Sequence, residues 1–372
     1  MRGHVRKRGA TWTVVYDEGR TAEGQRVQRS RGGFASRREA QAFLTDALAR
    51  LSDGSYSAPS RTTLGAFLVD EWLPSIAGTI RPLTLTTYES VVRLRIGPGL
   101  GERRLQALTG GHVNALYREL DEAGLSVSTR RLTHAVLHRA LSDAVRWGRL
   151  VRNPADAADP PAAARSKATA WTPKELGRFL RHVNDDRLCA LWRLAAMTGC
   201  RRGELAAVMW RGLDLDADTL TISAQLVPTR GGCTFGPPKS SRGLRTIALD
   251  ALTVDILRGH REAQLLERAV AGDAYDDLDL AFCDELGGPL NPQHLTDRFT
   301  TLRAEAGIGA GSLHILRHTH ATHLLVSGVP VHVVAARLGD TPATVMSVYA
   351  HLLPTSDAAA ASRVAALVDG AR

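Results

Sequence analysis

The chain has 372 residues, 44% of them hydrophobic, and a net charge of +9 from 47 Lys and Arg against 38 Asp and Glu. That length suggests two or three domains with real cores and excludes wholesale disorder. No apolar run reaches the roughly 18 residues of a membrane span, and the basic N-terminus MRGHVRKRGATWTVV lacks the apolar centre of a signal peptide, so the expected compartment is the cytoplasm.

Residues 1–50 hold eleven Lys and Arg against five Asp and Glu, so +6 of the charge sits at one end. Such asymmetry points to a polyanionic partner, nucleic acid above all. Thr11 to Tyr16 is β-rich, Asp17-Glu18-Gly19 can turn the chain, and Gln25 to Arg31 reads as the next strand. Ser36 and Glu39 form a capping box, after which Ala40, Phe43, Leu44, Ala47, Leu48 and Leu51 follow helical spacing. A basic sheet backed by a helix can present strands to a DNA groove. Arg6, Lys7, Arg8, Arg26, Arg29 and Arg31 are the candidate contacts.

Residues 52–62, SDGSYSAPSRT, read as a linker. Residues 63–158 are helical in pattern. Leu85, Tyr88, Val91 and Val92 mark one helix, Val113, Leu116 and Leu120 another, and Leu132, Val136, Leu137, Leu141 and Val145 a third. A bundle of about four helices is expected, with Arg130 and Arg131 among its candidate DNA contacts. A second linker, DPPAAARSKATA, spans 159–170. Thr172-Pro173-Lys174-Glu175 then opens a helix. Beyond it, helical stretches flank a β-rich island from about Thr219 to Asp250, and the chain finishes on the Ala-rich segment Asp357 to Val368. Cys189, Cys200, Cys233 and Cys283 are widely spaced with no CxxC pair, which favours buried free thiols over zinc or disulfides.

Cutting a phosphodiester without a metal requires fixed cations on the nonbridging oxygens, an in-line nucleophile, and an acid for the departing oxygen. Arginine suits the first task, because its planar fork donates two hydrogen bonds and stays charged. The C-terminal region offers these parts in order: Gly199-Cys200-Arg201-Arg202-Gly203-Glu204, then Lys239, then His314-Ile315-Leu316-Arg317, then Tyr349. On a helix, His314 and Arg317 share a face. Only four of the 47 basic residues are lysine (Lys7, Lys167, Lys174 and Lys239), and a lysine can give up a proton where an arginine cannot.

The boxes G-x-R-x-x-E at Gly199–Glu204 and H-x-x-R at His314–Arg317, with Lys239 between them and Tyr349 after them, resemble the tyrosine recombinase (phage integrase) family. The resemblance covers about 170–355 and extends more weakly to both N-terminal regions. It implies a multidomain α+β chain in three parts. These are a small N-terminal β-sheet and helix module over 1–55 for arm-type DNA sites, an all-α core-binding domain over 62–158, and a mainly α catalytic domain with a small β-sheet over 168–372. It implies that Arg201 and Arg317 clamp the scissile phosphate, that His314 assists, that Lys239 protonates the 5′ oxygen, that Glu204 braces the arginines, and that Tyr349 forms a 3′-phosphotyrosyl bond. No metal and no cofactor is called for, and no P-loop is present. The implied partners are double-stranded DNA at specific attachment sites, three further protomers in a synaptic homotetramer, and an accessory DNA-bending or directionality factor, in a bacterial cytoplasm.

One position departs from the family pattern. Leu338-Gly339 is followed by Asp340 where the family has His or Trp. A carboxylate repels a phosphate, so Asp340 is expected to hold an arginine or His314 in place. Arg202 reads as a surface or DNA-facing residue, and His318, His320 and His323 as packing residues rather than metal ligands. Two other functions share much of this pattern: a DNA-binding protein that kept the fold and lost catalysis, and a type IB topoisomerase.

Overall fold

The computed structural model describes residues 3–20, 25–52, 59–162, 169–229 and 232–349, with isolated positions beyond them. The chain divides into two compact units, residues 1–165 and 166–372. The fold is mixed α+β, and among the described residues no helix is long and apolar enough to cross a membrane. Apart from isolated positions, the Ala-rich segment Asp357 to Val368 lies outside the described residues.

The first unit holds two separate apolar cores. The first core belongs to an antiparallel sheet of β1 (Gly3–Arg8), β2 (Thr11–Arg20) and β3 (Arg26–Phe34), with helix α1 (Arg37–Ser52). Val14 and Tyr16, two residues apart, point to one face and bury against Ala40, Leu44 and Ala47 of α1. At the helix start, Ser36 Oγ accepts from Glu39 N at 3.2 Å, while the Glu39 carboxylate reaches back to Ala35 N at 3.1 Å.

The sheet departs from one sequence expectation and adds a strand that the sequence does not announce. The chain does not turn at Asp17-Glu18-Gly19, because β2 runs on to Arg20 and a bulge between Asp17 and Gly19 absorbs the glycine. The basic N-terminus is itself a strand, paired with β2 along its whole length, and its single apolar residue Val5 packs on the core. The register then sorts the arginines, since directly paired residues share a face. Arg6 pairs with Thr13 and Arg8 with Thr11, facing away from α1, whereas Lys7, Arg29 and Arg31 pair with Trp12, Tyr16 and Val14 on the helix side. Arg31 lies 4.7 Å from the Phe43 ring centre, and Arg29 Nε is 2.6 Å from Glu18. Arg26 donates to Asp17 at 2.8 Å beside Gln28, on the face away from α1. The six candidates therefore do not form one basic surface.

The second core is formed by four helices, α2 (64–76), α3 (82–100), α4 (Gly110–Glu122) and α5 (Val127–Arg146). Thr63, Thr109 and Ser126 each accept a backbone N–H at the start of α2, α4 and α5. Trp72 is fully buried, and its Nε1 donates to Asp143 at 2.8 Å, so the one polar atom of this large ring is satisfied. Arg130 bridges to Asp121 at 2.9 Å, joining α5 to α4 rather than projecting outward as a DNA contact would. Arg131 is exposed and donates to the Pro161 carbonyl at 3.0 Å.

The second unit opens with α6 (Pro173–His182), whose Thr172 and Glu175 complete the expected capping box. Next come α7 (Cys189–Thr198) and the short α8 (Arg202–Leu205). β4 (Leu213–Asp214), β5 (Thr219–Ile222) and β8 (Arg245–Ala248) make an antiparallel sheet in the order β4-β5-β8. β6 (Gln225–Thr229) and β7 (Gly232–Gly236) pair as a separate hairpin. The remaining helices are α9 (Ala251–Ala271), α10 (Pro292–Glu305), α11 (His314–Val326), α12 (Val331–Leu338) and α13 (Pro342–Tyr349). At the centre of the main core Trp171 stacks on Phe299, and Phe179 and Trp192 pack against Phe299 with tilted rings. A smaller cluster of Ala321, Leu325, Val334, Leu338 and Val345 surrounds Tyr349.

Candidate active site

The G-x-R-x-x-E box has a local physical reason. Gly199 ends α7 with φ +65°, and a Cβ there would stand 2.7 Å from Leu338 Cδ2. Left-handed backbone and close contact together demand glycine. Arg201 then sits at the N-cap of α8, and Glu204, three residues on, accepts the Arg201 backbone N–H at 3.0 Å. A carboxylate at a helix N-terminus is the favourable sign for the helix dipole.

Glu204 is 2% exposed and lies between two guanidiniums. It accepts from Arg201 at 2.9 Å and from Arg245 of β8 at 2.9 Å. Burial alone would raise its pKa, but hydrogen bonds and charge from Arg245, then Arg201, hold it below the usual carboxylate value. Arg201 extends its other nitrogen to Asp340 at 2.5 Å. Asp340 also accepts from Arg317 at 2.5 Å. Arg317 is 3% exposed and is fixed further by the carbonyls of Gly199 at 2.7 Å and Leu338 at 2.9 Å. The chain Arg245–Glu204–Arg201–Asp340–Arg317 therefore locks two guanidiniums beside one another, with one positive charge in excess of the carboxylates.

These groups open on a cavity of about 440 Å³ whose lining includes Arg201, Arg202, Lys239, His314, Arg317 and Asp340. His314 begins α11, one turn before Arg317. Removal from bulk water, then His318, Arg317 and Arg201, lower its pKa to about 4, so it is neutral at pH 7. Lys239 is exposed and lies beyond the β6–β7 hairpin, in the segment leading to β8, not in the hairpin itself. Arg202 is exposed, and it donates to Thr296 at 3.0 Å and Gln293 at 3.2 Å.

Tyr349 is placed differently. It ends α13, is 4% exposed, and is not among the residues that line this cavity. Its hydroxyl lies 2.6 Å from Nδ1 of His318, and burial pushes its pKa up to about 12. The sequence alone does not single out His318, which reads there as a packing residue like His320 and His323. Its only signal was the four-residue spacing from His314, whose ring centre is 4.7 Å away. His320 meets Arg337 at 3.1 Å and His323 the Trp171 carbonyl at 2.9 Å. Arg245 is not singled out either, because nothing in a lone arginine of a short strand announces a buried brace. Among the described residues no cluster of His, Cys, Asp and Glu is arranged to hold a metal ion.

Comparison with known proteins identifies the family. Residues 170–355, half of the chain, match the phage integrase family; residues 4–51 match an arm DNA-binding domain, and 65–120 a phage integrase N-terminal SAM-like domain. A tyrosine recombinase XerC-like protein of Caldanaerobacter subterraneus is 25% identical over 364 residues, covering 92% of this chain and 93% of that protein. The fold is similar to the Tn1549 transposon integrase in complex with a circular intermediate DNA, with a TM-score of 0.68 at 17% identity, over 82% of this chain and 99% of that one. It is also similar to a lambda integrase tetramer bound to a Holliday junction, with a TM-score of 0.55 at 18% identity, over 92% and 94% of the two chains. This chain therefore belongs to the phage integrase family of tyrosine recombinases.

Proposed function

We propose that the protein is a site-specific recombinase that cleaves and rejoins double-stranded DNA through a 3′-phosphotyrosyl bond to Tyr349, integrating or excising a phage or mobile element. The observation that carries this function is the locked pair Arg201 and Arg317 in one cavity with His314 and Lys239. Two fixed forks donate to the nonbridging oxygens without reorganising during the reaction. The Tyr349 oxygen attacks phosphorus, its proton passing to a base such as neutral His314. The bond to the 5′ oxygen breaks, and that oxygen takes a proton from Lys239. The phosphotyrosine preserves the bond energy, so rejoining by a new 5′ hydroxyl needs no ATP. Nicked DNA carrying the junction of the element with its flanking sequence would trap the covalent adduct on a denaturing gel. Adduct formed in EDTA supports the scheme, and a strict Mg²⁺ requirement would sink it. Relaxation of nonspecific supercoiled DNA would favour the topoisomerase alternative.

Asp340 acts as the brace between the two clamping arginines. Asp340→Ala frees both forks and is expected to slow cleavage by about ten- to a hundred-fold, as loss of a supporting partner does elsewhere. Asp340→Asn keeps an oxygen that accepts one of the two bonds and should retain substantial activity. Inactivity of a folded, DNA-binding Asp340→Asn would show that the charge itself is required.

Three domains divide the work: 1–55 binds arm sites, 62–158 grips the core site, and 168–372 cleaves. In the first, Arg6, Arg8 and Arg26 share the sheet face that points away from α1 and are its strongest candidate contacts. Removing residues 1–62 should spare cleavage of a short core site and impair recombination of long substrates. Normal recombination by a 63–372 fragment would refute the arm role. Arm binding should weaken steeply with salt, because phosphate contacts release counterions. One site cleaves one strand and an exchange breaks four, so the working assembly is a homotetramer on DNA attachment sites, aided by an accessory DNA-bending or directionality factor.

A further inference from the structure

The proposed nucleophile is buried beside the cavity it must serve, outside its lining. Arg201, His314 and Arg317 face the open space, but the Tyr349 phenol is 4% exposed among Ala321, Leu325, Val334, Leu338 and Val345. Its hydroxyl has a single hydrogen-bond contact among the described side chains, Nδ1 of His318 at 2.6 Å. His318 follows Arg317 on α11, and consecutive helical positions diverge by about 100°. One helix thus turns Arg317 toward Asp340 and His318 toward the tyrosine.

We propose that His318 is a positioning residue that latches Tyr349 in this sheltered state, so that the phenol must leave Nδ1 before it can reach a phosphate. The proposal rests on Tyr349 being the nucleophile. A neutral imidazole accepts a hydrogen bond from the phenol through Nδ1 and satisfies a hydroxyl that would otherwise be buried without a partner. Its neutrality fits the surroundings, since burial and then Arg317 lower the His318 pKa. Without the acceptor, the sheltered state loses its one compensating bond and the outward state gains population. A typical net hydrogen-bond contribution corresponds to a shift of about two- to ten-fold. The latch thereby holds idle the one group whose premature exposure would allow unpaired cutting.

The test uses the full chain and two substitutions. His318→Ala removes the acceptor, while His318→Asn places an amide atom near the position of Nδ1 and restores it. Nitration by tetranitromethane without DNA, read by mass spectrometry at each tyrosine, should rise at Tyr349 by about two- to ten-fold in His318→Ala. It should return to the wild-type rate in His318→Asn and stay constant at Tyr16, Tyr88, Tyr117 and Tyr275. An unchanged Tyr349 rate in His318→Ala, or a rise shared by all tyrosines in both variants, overturns the latch. Adduct formation on nicked DNA should rise in His318→Ala by a similar factor. A loss of a hundred-fold or more would instead make His318 the proton acceptor of the reaction and overturn the latch. Nitration needs no cleavage, and adduct that persists in Tyr349→Phe would refute the nucleophile assignment separately.

Discussion

Tyr349→Phe is expected to abolish the covalent protein–DNA adduct while leaving folding and DNA binding intact. Phenylalanine keeps the ring that packs on Val334, Leu338 and Val345 and loses only the oxygen. The structural cost is the bond to His318, about 0.5–1.5 kcal/mol. The chemical cost is far larger, because no other group supplies the attacking atom; removing the nucleophile of a covalent enzyme costs on the order of 10⁶ in rate. The measurement is adduct yield on a suicide substrate beside a binding isotherm on the same DNA. Adduct in the variant at wild-type level, with normal binding, would move the nucleophile elsewhere.

Arg201→Ala should lower the cleavage rate by about 10²- to 10³-fold, the usual loss for one preorganised donor to a developing oxyanion. Arg201 is the cleaner of the two clamp positions to test. Its partners each keep a second cation, Arg245 for Glu204 and Arg317 for Asp340, so the fold should hold. Arg317→Ala would confuse the outcome, because it also strips the buried carbonyls of Gly199 and Leu338 of their donor. Arg201→Lys is expected to recover little, since one ammonium cannot span Glu204, Asp340 and a phosphate as the planar fork does. Single-turnover rates at saturating protein separate chemistry from binding. Cleavage within a few-fold of wild type would remove Arg201 from the clamp.

Much of this protein was legible from sequence, and the reason is locality. Gly199, Arg201 and Glu204 lie within six residues of chain, so their box can be read directly, whereas the left-handed stop at Gly199 and the capping role of Glu204 appear only in the fold. Helical periodicity marked the bundle cores, and Thr172-Pro173-Lys174-Glu175 announced α6. Strand pairing is not local. The glycine and four basic residues around Val5 carry no strand signal until β2 supplies hydrogen bonds, and register alone decides that Arg6 and Arg8 face away from α1 while Arg31 lies on Phe43. The site divides the same way. The order of Arg201, Lys239, His314, Arg317 and Tyr349 can be read along the chain. That Asp340 joins two arginines, that Arg245 shares Glu204, and that His318 rather than the cavity holds the Tyr349 hydroxyl depend on contacts spanning 23 to 139 residues. Short-range rules of capping and periodicity do not constrain such distances; packing of α11 against α7, of α12 against α11 and β8, and of α13 against α12 does, because buried charges and hydroxyls must find partners wherever the fold brings them together.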